Sequence, residues 1–105
     1  MSPQIEKTSD VAVLEKPMRK GPKQYQVILF NDEFTPMDFV VEVLMEIFDH
    51  SVDQAEAVMW KIHTEGKGVC GVYPFEIAHT KQDWTLQVAK KFQFPLCVEI
   101  EEVPE

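Results

Sequence analysis

Long apolar segments and cysteines are scarce in this chain of 105 residues. No apolar run approaches the ~20 residues that a membrane span requires, and no secretory leader is evident, so we expect a protein without a membrane anchor. The two cysteines, Cys70 and Cys97, lie far apart, and the histidines do not pair with them at the spacing of a zinc site. We therefore expect two small buried thiols, with no disulfide, no metal and no cofactor.

Basic side chains are also few, with 10 Lys and Arg against 18 Asp and Glu, for a net charge of −8. The excess of acid lies in residues 24–105, which carry five basic and fifteen acidic side chains, whereas residues 1–23 carry five basic and three acidic ones. An acidic body repels phosphates and attracts amines, so nucleic-acid binding is not expected. Solubility alone is an alternative explanation of the same acidic charge.

The length fits one domain with one hydrophobic core, which leaves little room for a deep active site. Residues 1–23 contain three prolines, a glycine and only one short apolar stretch, at 11–14. We predict a flexible N-terminal extension over residues 1–23 and a folded domain over residues 24–105.

Hydrophobic periodicity predicts three strands and three helices in the order β-α-α-β-α-β. The strands are expected at residues 25–30, 69–73 and 96–100, where aromatic, β-branched and other apolar residues cluster. This order predicts an α+β fold, in which three helices pack against a small three-stranded antiparallel sheet.

The predicted helix boundaries rest on capping residues. Thr35 is expected to cap the first helix, with Pro36 at its first position. Ser51 and Gln54 form a candidate capping box for the second helix, and Gly66 is a suitable C-terminal stop. The residues expected to face inward are Val52, Ala55, Met59 and Ile62 in the second helix, and Ile77, Trp84, Val88 and Phe92 in the third.

A candidate binding site follows from the loop between the first strand and the first helix. Asn31 and Asp32 supply oxygen acceptors there, and His63 supplies a further acceptor if one ring nitrogen is unprotonated. If the first two helices pack together, these groups surround an apolar pit formed by Met37, Val40, Met59 and Ile62. Such a pit suits a protein N-terminus, which offers an ammonium group beside one side chain.

Each of these residues also has a purely structural interpretation. Asn31 and Asp32 are common turn residues, His63 suits a helix C-terminus, and methionines at helical spacing are usual in cores. An enzyme using Asp32 and His63 as an acid–base pair is a second alternative, but it lacks a nucleophile or oxyanion loop. A protein-interaction domain without an amine-binding pocket is a third.

Two long blocks of sequence resemble the ClpS family of bacterial N-degron adaptors. The stretch VILFNDEFTPMDFV at residues 27–40 resembles the family signature, and IHTEGKGVCGVY at residues 62–73 resembles its second block. The resemblance extends from about residue 24 to residue 101. It implies a fold like the C-terminal domain of the ribosomal stalk protein, and a monomeric, cytoplasmic bacterial adaptor that is not an enzyme.

The resemblance also implies a function and a set of site residues. Such an adaptor binds proteins that begin with Leu, Phe, Tyr or Trp and delivers them to the N-terminal domain of the unfoldase ClpA, which works with the peptidase ClpP. Asn31, Asp32 and His63 match the positions around the substrate α-amino group. The positions that match the family's side-chain pocket are Leu29, Thr35, Met37, Val40, Met59, Ile62 and Leu96, with Met37 as the gatekeeper.

The family's unfoldase-docking face corresponds to Glu76 and Lys81. Two departures from the family pattern concern the pocket. The sequence has Asp32-Glu33-Phe34 where Asp-Asp-Tyr is frequent, which removes a tyrosine hydroxyl, and Ile62 stands where Val is common. These changes bear on the ranking of the bound residues rather than on their class.

Overall fold

The computed structural model describes residues 21–104. The strands are β1 (Gln24–Phe30), β2 (Lys67–Pro74) and β3 (Cys97–Glu102), and the helices are α1 (Met37–Glu46), α2 (Val52–Glu65) and α3 (Phe75–Lys91). This order confirms the predicted sequence of elements. The predicted flexibility of the N-terminal extension falls on residues that lie almost entirely outside the described part.

The sheet has the order β2-β1-β3, and both pairings are antiparallel. The predicted α+β fold with a three-stranded antiparallel sheet is therefore confirmed. Phe30, the last residue of β1, pairs with Lys67 on one side and with Cys97 on the other. The C-terminal end of the central strand thus lies between the first residues of both edge strands.

The second helix has the termini that its sequence predicts. The Ser51 hydroxyl accepts a hydrogen bond from the Gln54 amide at 3.2 Å, and the Gln54 side chain accepts one from the Ser51 amide at 3.1 Å. Gly66 ends the helix at φ 95°, a conformation that glycine adopts without strain. Ala55, Met59 and Ile62 are buried, as predicted. Val52 is 50% exposed, so its predicted burial is wrong.

The third helix presents a different face to the sheet than the sequence suggested. Ala78, Thr85 and Ala89 are buried, while Ile77, Trp84 and Phe92 are about half exposed and Val88 is partly buried. The two stripes have the same spacing and differ by one residue, which is a rotation of about 100°. The predicted inward face of α3 is therefore wrong, because small side chains let the helix approach the sheet more closely than bulky ones would.

Two polar contacts hold the connection between α1 and α2. Lys81 Nζ donates to the carbonyl of Ile47 at 2.6 Å, just past the end of α1. His50 Nε2 lies 2.6 Å from the carbonyl of Cys70, and because a carbonyl only accepts, this nitrogen carries the proton. The turn is thereby fixed to α3 by Lys81 and to β2 by His50.

The two cysteines lie in different environments. Cys70 is buried, and burial raises the pKa of its thiol to about 12. Cys97 is exposed at the start of β3, so the prediction that both thiols are buried is wrong for this residue. Its side chain belongs to the outer position of an edge strand, which the apolar pattern around it did not reveal.

Candidate functional site

Backbone pairing brings the loop after β1 to the end of α2. The amide of Asn31 donates to the carbonyl of Gly66 at 2.9 Å, directly beyond the pairing of Phe30 with Lys67. The carbonyl of Gly66 is free for this bond because the glycine has left the helical conformation. Gly66 follows His63 by about one helical turn, so this bond brings Asn31 to the end of α2 that carries His63, although the two residues are 32 positions apart in the sequence.

The carboxylate of Asp32 organises the loop that follows. One oxygen accepts the amides of Phe34 and Thr35 at 2.8 and 2.7 Å, and the other accepts the Thr35 hydroxyl at 2.8 Å. Burial raises the pKa of Asp32, but the bonds from Thr35 and Phe34 outweigh it and leave the pKa below its ordinary value. The loop is therefore built around a charged carboxylate.

These bonds also correct the predicted start of α1. Thr35 does not cap the helix, because its hydroxyl donates to Asp32 instead. Pro36 occupies the N-cap position, no side chain caps this terminus, and the helix begins at Met37. A threonine before a helix can cap it or close an Asx turn, and here the preceding aspartate decides between the two.

All ten residues assigned to the amine and side-chain sites line one narrow cavity. The residues meet from four parts of the chain: β1 and its loop, the start of α1, the end of α2, and the segment before β3. The predicted residues in the lining are Leu29, Asn31, Asp32, Thr35, Met37, Val40, Met59, Ile62, His63 and Leu96.

Phe30 completes the lining and was not predicted. It directly precedes Asn31 and ends β1, so its position in the sequence could have suggested it. The strand pattern indicates only that it is an apolar residue of β1.

The cavity is apolar inside and polar at its mouth. Leu29 is fully buried and Ile62 is 3% exposed, whereas Asn31 and His63 are exposed. Met37 is 38% exposed and lies where the interior meets solvent. Methionine side chains are unbranched and change rotamer easily, so the opening can adjust to what enters it.

The chemistry of this lining is that of a binding site. Thr35 carries the one hydroxyl among the lining residues that the structure describes, and it is already bonded to Asp32. No lining residue is a cysteine, serine or lysine placed to act as a nucleophile beside His63. The mouth offers acceptors and negative charge, and the interior offers apolar surface.

Glu76 and Lys81 lie on α3, away from this cavity. Glu76 is exposed in the first turn of the helix. The Lys81 side chain is only 14% exposed, because its ammonium lies over the rings of Phe48 and Tyr73 and bonds to the end of α1. Of the two, Glu76 is therefore the more available to a partner.

Neither a membrane-spanning helix nor a metal-binding cluster occurs within residues 21–104. No helix in this range is both long and apolar enough to cross a membrane. No three His, Cys, Asp or Glu side chains in the same range lie close enough together to bind a metal ion.

The fold and the cavity together define a small binding module of the α+β class. The family described as ATP-dependent Clp protease adaptor protein ClpS matches residues 20–99. This match covers most of the chain, and the chain belongs to the ClpS family. The family is one of protease adaptors, in agreement with a lining that supplies binding groups rather than a nucleophile.

Individual relatives agree with this assignment. The ATP-dependent Clp protease adapter protein ClpS of Helicobacter hepaticus is 51% identical over 83 residues, which are 79% of this chain and 84% of that protein. The protein of the same name from Hydrogenovibrio crunogenus is 51% identical over 96 residues, covering 90% and 92% of the two chains.

A solved structure supports the fold. Agrobacterium tumefaciens ClpS2, determined bound to L-phenylalaninamide, has a TM-score of 0.76 and 37% identity to this chain. The similarity covers 79% of this chain and 100% of that one.

Proposed function

We propose that this protein binds the free N-terminal residue of N-degron substrates that begin with Leu, Phe, Tyr or Trp, and delivers them to the ClpA unfoldase of the ClpA–ClpP protease. The observation that carries the proposal is that one cavity combines an apolar interior with a mouth rimmed by Asn31, Asp32 and His63. The ligand of the ClpS2 structure supports it, since L-phenylalaninamide combines a free α-amino group with a phenylalanine side chain.

The energies of the two halves of such a ligand are sufficient. Burying a side chain of the size of Leu or Phe contributes about 1.5–3 kcal/mol. Charge-assisted hydrogen bonds to the ammonium add about 1.5–3 kcal/mol each. After the cost of association is subtracted, about micromolar affinity is within reach. No bond is made or broken, so the site needs no catalytic group.

The three polar residues have different parts in this proposal. Asn31 and His63 are exposed at the mouth and accept hydrogen bonds from the ammonium group through the amide oxygen and an unprotonated ring nitrogen. Asp32 has already accepted three bonds from its own loop, so it acts mainly through its negative charge.

Delivery to the unfoldase uses a second face in this proposal. Of the two residues that the resemblance assigns to docking, Glu76 is the one with an exposed side chain, and it contacts the N-terminal domain of ClpA in this proposal. Lys81 contributes indirectly, since its ammonium holds the end of α1 against α3. Glu76→Lys should therefore impair degradation of a Phe-initiated reporter by ClpA and ClpP without changing peptide affinity.

The binding step is tested with a fluorescent peptide that begins with Phe, compared with the same peptide acetylated at its N-terminus. Anisotropy should rise with the free peptide alone, and the peptide should be recovered intact. His63→Ala should weaken binding about tenfold or more, whereas His79→Ala, an exposed histidine outside the cavity, should not.

Three outcomes would contradict the proposal. Equal binding of the acetylated peptide would favour an interaction domain without an amine site. Consumption of the peptide would indicate an enzyme. A loss on His79→Ala equal to that on His63→Ala would show that the cavity is not the binding site.

A further inference from the structure

We propose that the N-terminal extension of this chain binds a groove on its own folded domain, between α1 and α3. The contact uses the apolar stretch at residues 11–14 and the basic residues that follow it. Phe39 and Val43 of α1 and Trp84 and Phe92 of α3 are part of the apolar lining of this groove. The groove shares no lining residue with the candidate binding cavity, so the inference does not depend on the proposed function.

The groove leaves large apolar side chains in contact with solvent. Trp84 is 52% exposed and Phe92 is 56% exposed, although both lie in the groove beside α1. Bulky aromatic side chains that are grouped together and half exposed are typical of an interaction surface. We therefore expect a segment with apolar side chains to cover them.

The charge of the groove selects a basic occupant. Glu42 and Glu46 lie one helical turn apart on α1, and both are exposed. Within residues 21–104 neither carboxylate forms an ion pair or a side-chain hydrogen bond, and no basic residue lines the groove. A symmetric dimer through this groove would bring the same two carboxylates of both copies together, which like-charge repulsion disfavours.

The N-terminal extension has the composition that this groove requires. Its one short apolar stretch is at residues 11–14, and residues 16–20 contain Lys16, Arg19 and Lys20 with no acidic residue. The apolar side chains can cover the aromatic wall of the groove while the basic ones approach the carboxylates of α1.

The extension joins the folded domain within reach of the groove. The ring of Tyr25, near the start of β1, packs edge-on against Phe75, with centroids 5.2 Å apart, so the chain enters beside the first turn of α3. Trp84 lies nine residues further along α3 and on its opposite side, which makes a path of about 22 Å over the helix surface. The seven residues from Leu14 to Gly21 span up to about 25 Å, and the ten from residue 11 span up to about 35 Å.

The test follows the fluorescence of Trp84 in the full chain, after Trp60→Phe has removed the other tryptophan. Acrylamide quenches exposed indole rings by collision. A tethered segment has an effective concentration of about millimolar, so even a weak contact covers about half of the molecules or more. Lys16→Glu with Arg19→Glu should therefore raise the quenching constant of Trp84 about 1.5- to 2-fold. Salt at about 0.5 M should move the parent protein toward the same value.

Charge reversal of the groove tests whether the two sets of charges meet. Glu42→Lys with Glu46→Lys should raise the quenching constant of Trp84 as the change in the extension does. Combining these two substitutions with Lys16→Glu and Arg19→Glu should return the constant toward the parent value, because opposite charges face each other again.

Lys61→Glu with Lys67→Glu is the matched control. It changes the net charge by the same amount, but these lysines line a different cleft, beside Gln26. The quenching constant of Trp84 should stay at the parent value in this variant. In a chain that carries Trp84→Phe, the remaining Trp60 should not respond to changes in the extension, because it lines another cleft.

Three results would overturn the inference. The first is a quenching constant of Trp84 that is the same in the parent protein and in the variant with a reversed extension. The second is a combined variant that remains as exposed as the two variants from which it is made. The third is a constant that changes with protein concentration between about 1 and about 100 µM, since a second copy of the chain would then occupy the groove.

Discussion

Gly68→Ala tests how tightly β2 packs against the wall of the cavity. A methyl group at residue 68 would lie 2.9 Å from Cγ1 of Ile62, whereas carbon atoms in contact prefer about 3.5–4.0 Å. Ile62 must therefore move by about 0.6 Å or more, and overpacking of this kind costs about 1–3 kcal/mol. Alanine also restricts the unfolded chain, which returns about 0.4–1 kcal/mol. We expect the free energy of unfolding to fall by about 1–2 kcal/mol.

A double-mutant cycle with Ile62→Ala, measured by urea unfolding, identifies the cause. Ile62→Ala alone should cost about 2–5 kcal/mol because it leaves a cavity. In the double variant the new methyl group occupies part of that space, so the combined loss should be at least about 1 kcal/mol smaller than the sum. Pairing Gly68→Ala with Val43→Ala, a buried residue of α1, should give additive losses. Additivity in both pairs would refute the packing argument.

The same substitution bears on the cavity. Ile62 forms part of its lining, so its displacement should weaken binding of a peptide that begins with Trp more than one that begins with Leu. If each peptide binds the Gly68→Ala variant as tightly as it binds the parent protein, Ile62 moves without altering the lining.

Three other predictions follow from the hydrogen bonds and the pKa values. Because the folded-state pKa of Asp32 lies below the unfolded-state value of 3.8, its carboxylate stabilises the fold above that pH, and this stability is lost as pH falls through the lower folded-state pKa. Asp32→Ala should therefore lower the free energy of unfolding at pH 7, and its difference from the parent should shrink below about pH 4. A difference that stays constant with pH would contradict this. At pH 8 a thiol reagent should modify Cys97 quickly and Cys70 only on unfolding, because a buried thiol with a pKa of about 12 forms little thiolate. Equally fast modification of both cysteines would show that Cys70 is not buried. Lys81→Met should lower the free energy of unfolding in urea by about 1–3 kcal/mol, whereas Lys90→Met, at an exposed lysine, should lower it by about 0.5 kcal/mol or less. Equal losses would show that the bond from Lys81 to Ile47 does not stabilise the fold.

Local features of the fold were predictable because their causes lie within a few residues. The capping box of Ser51 and Gln54 and the stop at Gly66 depend on neighbouring backbone groups alone. The orientation of α3, by contrast, depends on contacts with residues far away in the sequence. Its two stripes, one through Trp84 and one through Thr85, have the same period, and only the distance between the helix and the sheet selects the stripe with small residues.

The candidate site shows the same division. The sequence by itself determined which residues carry acceptors and apolar surface, and the resemblance to ClpS assigned them to one pocket. Only the tertiary structure decided that Phe30 joins the lining of this cavity, and that Asp32 is engaged by its own loop. Sequence specifies the chemistry of each side chain, but the distances between segments far apart in the chain come from packing and strand pairing.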